Sequence, residues 1–198
     1  HIMFKKILLS TMLILTACSS VKDELLPITS TSEKAVEFYK TAFTHWEQGE
    51  GIEARNNFYS ALRVDPNFVL ANLYVNEPDP QQRRKYRQTA VDNKNSASDA
   101  ERIQVEMWEA QRDGESSKRL ELAKELAEKY NKSSLAHVWL GNVYTQQYMF
   151  DDAINSYKTA LKINPDQYNA WRELAKHHVV VGYNPMLPKE RQDKKLVV

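Results

Sequence analysis

Ala54-x3-Phe58-x2-Ala61-Leu62-x-Val64-Asp65-Pro66 recurs as Ala153-x3-Tyr157-x2-Ala160-Leu161-x-Ile163-Asn164-Pro165, with agreement at every patterned position. Three- and four-residue spacing of the apolar positions is that of one helix face. Alanines stand where a partner helix must approach closely, an aromatic ring fills the gap between them, and proline stops the helix. The motif therefore reads as the second helix of a helix hairpin. Ala54 and Ala153 are 99 positions apart, close to three repeat lengths of 34, so material of the same kind is expected between them.

Upstream of the second copy stand Leu140, Gly141 and Tyr144, and 34 residues later the same places hold Leu174, Ala175 and His178, with Trp171 where His137 stood. In the first repeat Phe38, Ala42 and His45 take the corresponding positions, and Gly49 and Gly51 make the turn. An aromatic, a leucine, a small residue and a tyrosine, followed by alanine, aromatic, alanine and proline, resembles the tetratricopeptide repeat. The resemblance implies an all-α protein, an α-solenoid of about 4.5 helix pairs wound as a right-handed superhelix over residues 31–198, including a C-terminal tail. In the middle, a helix over 68–76 is broken by Glu77-Pro78-Asp79-Pro80, and Asp79 with Pro80 starts the next helix, to about Asn93. Ser98 and Glu101 form a capping box for another, which Gly114 ends, and Ser116 to Tyr130 supplies its partner. A ninth helix over 167–181 has no clear partner. A short helix over 188–196, a binding partner or a second copy of the chain would cover it.

The first twenty residues point to export. Met3-Phe4-Lys5-Lys6 precedes an apolar run from Ile7 to Leu15, too short for a bilayer but sized for a secretory signal, and His1-Ile2 before it reads as a cloning remnant. Leu15-Thr16-Ala17-Cys18 resembles the lipobox of bacterial lipoproteins. That resemblance implies removal of residues 1–17 and a diacylglycerol and acyl chain on Cys18, a multi-chain anchor and the only non-protein group expected. Residues 18–30 would be the lipidated tether, with Pro27 and several hydroxyl side chains. Ser19 in place of aspartate implies sorting to the outer membrane, facing the periplasm. Lys22-Asp23-Glu24 reads either as a solvated linker or as an export tag for display at the cell surface. Without Lys5 and Lys6 the Lys+Arg count drops from 27 to 25 against 26 acidic residues, a net charge of −1, which gives no electrostatic case for nucleic acid.

No phosphate-cradling glycine loop, zinc-type spacing or nucleophile motif occurs, so neither an enzyme nor a metal site is expected. His45, His137 and His178 fall on packing positions, and Asp151-Asp152 starts a helix where the dipole favours negative charge. What remains is the hollow side, lined in this family by the first helix of each pair. Aligned positions place Val36, Tyr39, Phe43 and Trp46 there, then Leu70 and Leu73, then Trp108 and Arg112, then Asn142, and finally Arg172 and Lys176. The expected groove runs from aromatic through polar to basic, and suits a peptide or protein of the cell envelope with apolar anchors and an acidic stretch. Two alternatives stay open: partial burial of the aromatic patch against neighbouring helices or the folded-back tether, and a glycan or small ligand stacking on Tyr39, Trp46 and Trp108. A homo-oligomer through the last helix is a further possibility of the uncovered face.

Overall fold

The computed structural model describes residues 22–182, with side-chain surroundings through residue 177. The expected signal segment, Cys18, Ser19, the side chain of His178 and the helix over 188–196 lie outside the described residues. Helices follow one another as α1 (Glu33–Glu47), α2 (Gly51–Val64), α3 (Val69–Tyr74), α4 (Pro80–Asn93), α5 (Asp99–Arg112), α6 (Ser116–Lys129), α7 (Ser134–Gln146), α8 (Phe150–Ile163) and α9 (Tyr168–Gly182). Among the described residues there is no strand, and the whole is an α-solenoid of helix hairpins. None of these helices is long and apolar enough to cross a membrane.

Local chemistry sets the boundaries. The Asp79 carboxylate accepts from the amides of Gln81 and Gln82, with Pro80 in the first turn, where its missing N–H costs nothing. Ser98 and Glu101 close the reciprocal capping box at the start of α5. Each of three hairpin turns needs one residue in the left-handed region: Gly49 at φ 81°, Gly114 at φ 75° and, in place of a glycine, Tyr148 at φ 61°. Only α3 departs from the expected length, stopping at Tyr74 after six residues because Val75 turns extended before the Pro78 and Pro80 run.

Packing follows the repeat. Ala35, Ala42, Ala54 and Ala61 are buried around Tyr39 and Phe58, and Ala153, Ala160 and Ala170 play the same part around Tyr157. Gly141 is required by this arrangement, since a Cβ there would lie 2.5 Å from the Tyr157 ring. The Tyr157 hydroxyl donates to the Asn142 carboxamide at 2.9 Å and lies 3.1 Å from Thr145 Oγ1. His177 is buried: its ring packs on Tyr157 and Phe150 and its Nε2 is 2.9 Å from Thr145 Oγ1. His45 and His137 are only partly buried, the latter bonded through Nε2 to the Asn131 carbonyl at 3.0 Å.

The tether is where sequence and structure part. Residues 22–31 are extended and docked along the array, crossing every loop that joins one hairpin to the next. Ser30 Oγ and the Thr31 amide donate to the Asp65 carboxylate at the α2–α3 loop, at 2.6 and 2.9 Å. At the start of α5 the Thr29 amide donates to Glu101 and the Ser98 hydroxyl to the Pro27 carbonyl, at 3.0 and 3.2 Å. The Glu24 amide donates to the Lys132 carbonyl before α7 at 3.0 Å. Asp23 then accepts from the Ser134 amide and hydroxyl at 2.8 and 2.7 Å, capping α7 in trans, and from Asn164 Nδ2 of the α8–α9 loop at 3.0 Å. Leu26, 6% exposed, is seated among Ile103, Met107, Leu126 and Ala136, a burial worth about 2 kcal/mol. The segment from Asp23 to Ser30, expected as tether, is thus packed on the array, where the loops offer it donors and acceptors and an apolar seat.

Candidate partner-binding site

The inner face of the array is narrower than an open trough. Trp139 of α7 stacks flat on Tyr74 of α3, with centroids 5.7 Å apart and planes 4° from parallel. Trp46 of α1 stacks on the same indole at 6.3 Å and 24°, and Phe43 packs on Trp46 at 5.2 Å. The first and last helices also meet, through a hydrogen bond of 2.8 Å from Asn169 Nδ2 to Glu47 Oε1. Burial raises the pKa of Glu47 and that bond opposes the rise. Curvature thus brings α1 across to α7 and α9, and the aromatic positions of α1 close the hollow instead of lining it.

Several expected groove residues change role accordingly. Tyr39 and Leu73 are 5% and 3% exposed, Leu70 is buried with them, and Val36 and Phe43 pack against the same core. Tyr39 is drawn into the core, so its assignment to the groove is corrected, whereas Leu73 keeps a part in a cavity of the inner face. The physical reason is the short α3, which lets Tyr39 sink against Phe58 and Phe68 at 5.8 and 5.1 Å. Asn142 is engaged internally by the Tyr157 hydroxyl. Arg172 and Lys176 stand on α9, both paired with Glu173 at 3.1 and 2.8 Å. Trp46 stays 39% exposed at the rim.

Trp108 and Arg112 do belong to a concave surface, together with residues that sequence reading did not single out. A cavity of about 200 Å³ lies between Leu73, Tyr74, Arg87, Gln104, Met107, Trp108, Gln111, Arg119 and Trp139. A second, of about 450 Å³, shares Arg87 and Trp108 and adds Arg83, Arg84, Gln88 and Arg112. Its cationic character comes from α3 being cut short. Arg87 donates to the carbonyls of Asn72 and Val75 at 2.5 and 3.2 Å, marking where α3 ends beside α4. The first two turns of α4 run past that end without a first helix to cover them, and Arg83 and Arg84 occupy the space. The run Arg83-Arg84-Lys85-Tyr86-Arg87 is visible in the sequence, but a second helix of a hairpin is expected to face outward, which hid its part.

Electrostatics sharpen the site. Burial pulls the Arg87 guanidinium down to about 10, with Arg83 adding to the pull and Tyr74 opposing it, so a desolvated cation is held beside a second one. Burial also lowers Arg119, and it pushes the Tyr74 phenol up. Arg112 lies with its guanidinium carbon 5.2 Å from the Trp108 ring centroid and pairs with Asp113 at 2.7 Å. Arg83 bonds only a carbonyl, that of Glu77, at 3.1 Å. Guanidinium forks beside an indole bind carboxylates and other oxyanions together with an apolar neighbour. Among the described residues no group of three His, Cys, Asp or Glu is placed to hold a metal ion.

Comparison with known proteins fits this architecture. The model of the TPR repeat matches residues 141–179, which cover the second half of α7, all of α8 and most of α9. A solved structure of MamA protein is 18% identical over 74% of this chain and 82% of its own, with a TM-score of 0.39. One of MamA from AMB-1 is 16% identical over 82% of this chain and 86% of its own, also at 0.39. Neither likeness bears on function, and no curated protein matches the chain. Residues 141–179 are thus similar to a TPR repeat, within a helical solenoid.

Proposed function

We propose that this protein is a non-catalytic scaffold that holds another protein in the bacterial envelope, anchored to the outer membrane through lipid on Cys18. The observation that carries the reading is the hollow where Trp108 and four arginines converge inside a helical-repeat array, a module whose use is to bind peptide or protein segments. The partner presents an acidic segment with an apolar or aromatic side chain beside it. The carboxylates meet Arg83, Arg84 and Arg112, and the apolar group enters between Trp108 and Trp139. Closure of the inner face by Trp46, Tyr74 and Trp139 supports a second reading, a glycan or small acidic ligand held in a pocket rather than along a trough.

The test is capture from native envelopes with the mature chain as bait, in wild type and in Arg84→Glu and Trp108→Ala forms, with mass spectrometry of the N-terminal peptide in parallel. The scaffold reading expects one partner lost from both variants while helical circular dichroism is unchanged, and two acyl-bearing groups on Cys18. Capture that survives both changes overturns the site. A Cys18 without lipid overturns the anchor.

A further inference from the structure

The docked segment fixes where on the array a lipid leaves. It meets the loops in reverse chain order, with Ser30 at the first, Pro27 and Thr29 at the second, Glu24 at the third and Asp23 at the fourth. Cys18 precedes Asp23 by five residues, and five residues reach at most about 17 Å when fully extended. The lipid is therefore confined to the neighbourhood of the α8–α9 loop, although the chain enters the array at α1.

That same edge carries two of the most exposed large rings of the described chain. Tyr168 and Trp171, on the first turn of α9, are 49% and 56% exposed. Trp171 Nε1 donates to the Pro165 carbonyl at 2.7 Å, so the polar edge of the indole is satisfied within the protein and its apolar body is what solvent meets. Asn164, which holds Asp23, is in the same loop. Rings with one polar edge and an apolar body gain most at the boundary between water and hydrocarbon. The charges around them are mixed: Arg172 lies 5.8 Å from the Tyr168 ring, Lys132 pairs with Glu24, and Asp166 is exposed. Contact through rings rather than through a basic patch is what such a surface supports.

We propose that the α8–α9 edge, with Tyr168 and Trp171, rests on the lipid surface to which Cys18 is anchored. This inference depends on the lipid anchor proposed above. The array is then held at its α8–α9 edge. Lipidated full-length protein reconstituted into phosphatidylethanolamine and phosphatidylglycerol vesicles containing brominated phosphatidylcholine tests it, by tryptophan emission of wild type and Trp171→Phe. Bromolipid is expected to quench the wild type, with quenching about twofold or more weaker in the variant, as for a ring at the interface. Equal quenching in both, with lipid present on Cys18 by mass, overturns the edge and leaves the anchor standing. Absence of that mass removes the anchor and this inference with it. Emission from Trp171 that changes with protein concentration instead of with vesicles assigns the edge to a second copy of the chain and overturns the proposal.

Discussion

The two copies of the motif, 54–66 and 153–165, share their backbone and differ at single atoms that decide what each copy does. Asp65 and Asn164 occupy the same position, and each uses Oδ1 to accept the amide two residues on, at 3.2 Å from Asn67 and 3.0 Å from Asp166. The other atom faces the docked segment. In Asp65 it is an acceptor and takes Ser30 and Thr31; in Asn164 it is a donor and takes the Asp23 carboxylate. A repeat is thus a fixed frame whose variable atoms set the polarity of its contacts, and here they make the N-terminal segment bind in one direction and one register. The rings differ likewise: Phe58 is wholly apolar against Ala42, whereas Tyr157 carries a hydroxyl into a polar niche and needs Gly141 opposite.

The largest effect is expected from emptying either ring site. Phe58→Ala and Tyr157→Ala should each lower stability by about 3–5 kcal/mol in denaturant titrations, since both rings are buried. If only one does so, the two hairpins are not equivalent in weight. Next, Leu26→Ala should cost about 2–5 kcal/mol while its neighbour Leu25→Ala, at 74% exposure, stays within about 0.5 kcal/mol. Similar melting of the two variants would return the segment to the status of a linker.

Polarity is tested by exchanging the acid and the amide. Burial pushes the Asp65 carboxyl up, but the hydrogen bonds from Ser30, Thr31 and Asn67 outweigh it and hold the net value below the ordinary one. A depressed carboxylate stabilises above its unfolded pKa and loses that contribution as pH falls through the folded value. Wild-type stability should therefore drop below about pH 4, and Asp65→Asn should remove about 1–3 kcal/mol at neutral pH and flatten that drop. The mirror change, Asn164→Asp, sets a second carboxylate against Asp23. It should destabilise at pH 7 and recover on acidification, the opposite slope, read from melting temperature against pH.

Smaller effects come from the turn and the ring contact. Gly141→Ala should cost about 1–2 kcal/mol net, because the overlap with a ring pinned by Asn142 exceeds the helix-propensity gain. Tyr148 stands where the first repeat has Gly49, at φ 61° and 81% exposed. Tyr148→Gly should raise stability by up to about 1 kcal/mol, and a loss instead would show that its edge contact with Phe150 outweighs the backbone strain.

Much of the fold was legible because repeats state it more than once. The alanines, the aromatic and the proline gave the hairpins, and Asp79, Ser98 and Glu101 gave helix starts, all from contacts within a few residues. Of the site, Trp108 and Arg112 could be placed by alignment, while Tyr74, Arg83, Arg84, Arg87 and Trp139 could not. Their role depends on α3 ending at Tyr74, two residues before the end that the Pro78 and Pro80 run implied, and on α1 reaching α7, which no local spacing encodes. The same holds for Asp23 and Leu26, which read as tether and are held by residues more than 70 positions away, Asp23 through hydrogen bonds and Leu26 through apolar packing.

The sequence by itself determined the helices, their pairing and their caps, since these rest on propensity and on neighbours one turn apart. Only the tertiary structure decided that the hollow closes over stacked rings, that arginines of a second helix turn inward, and that the N-terminal segment binds the length of the array. Small rotations between successive hairpins add up along a solenoid, and the meeting of distant residues is set by that sum.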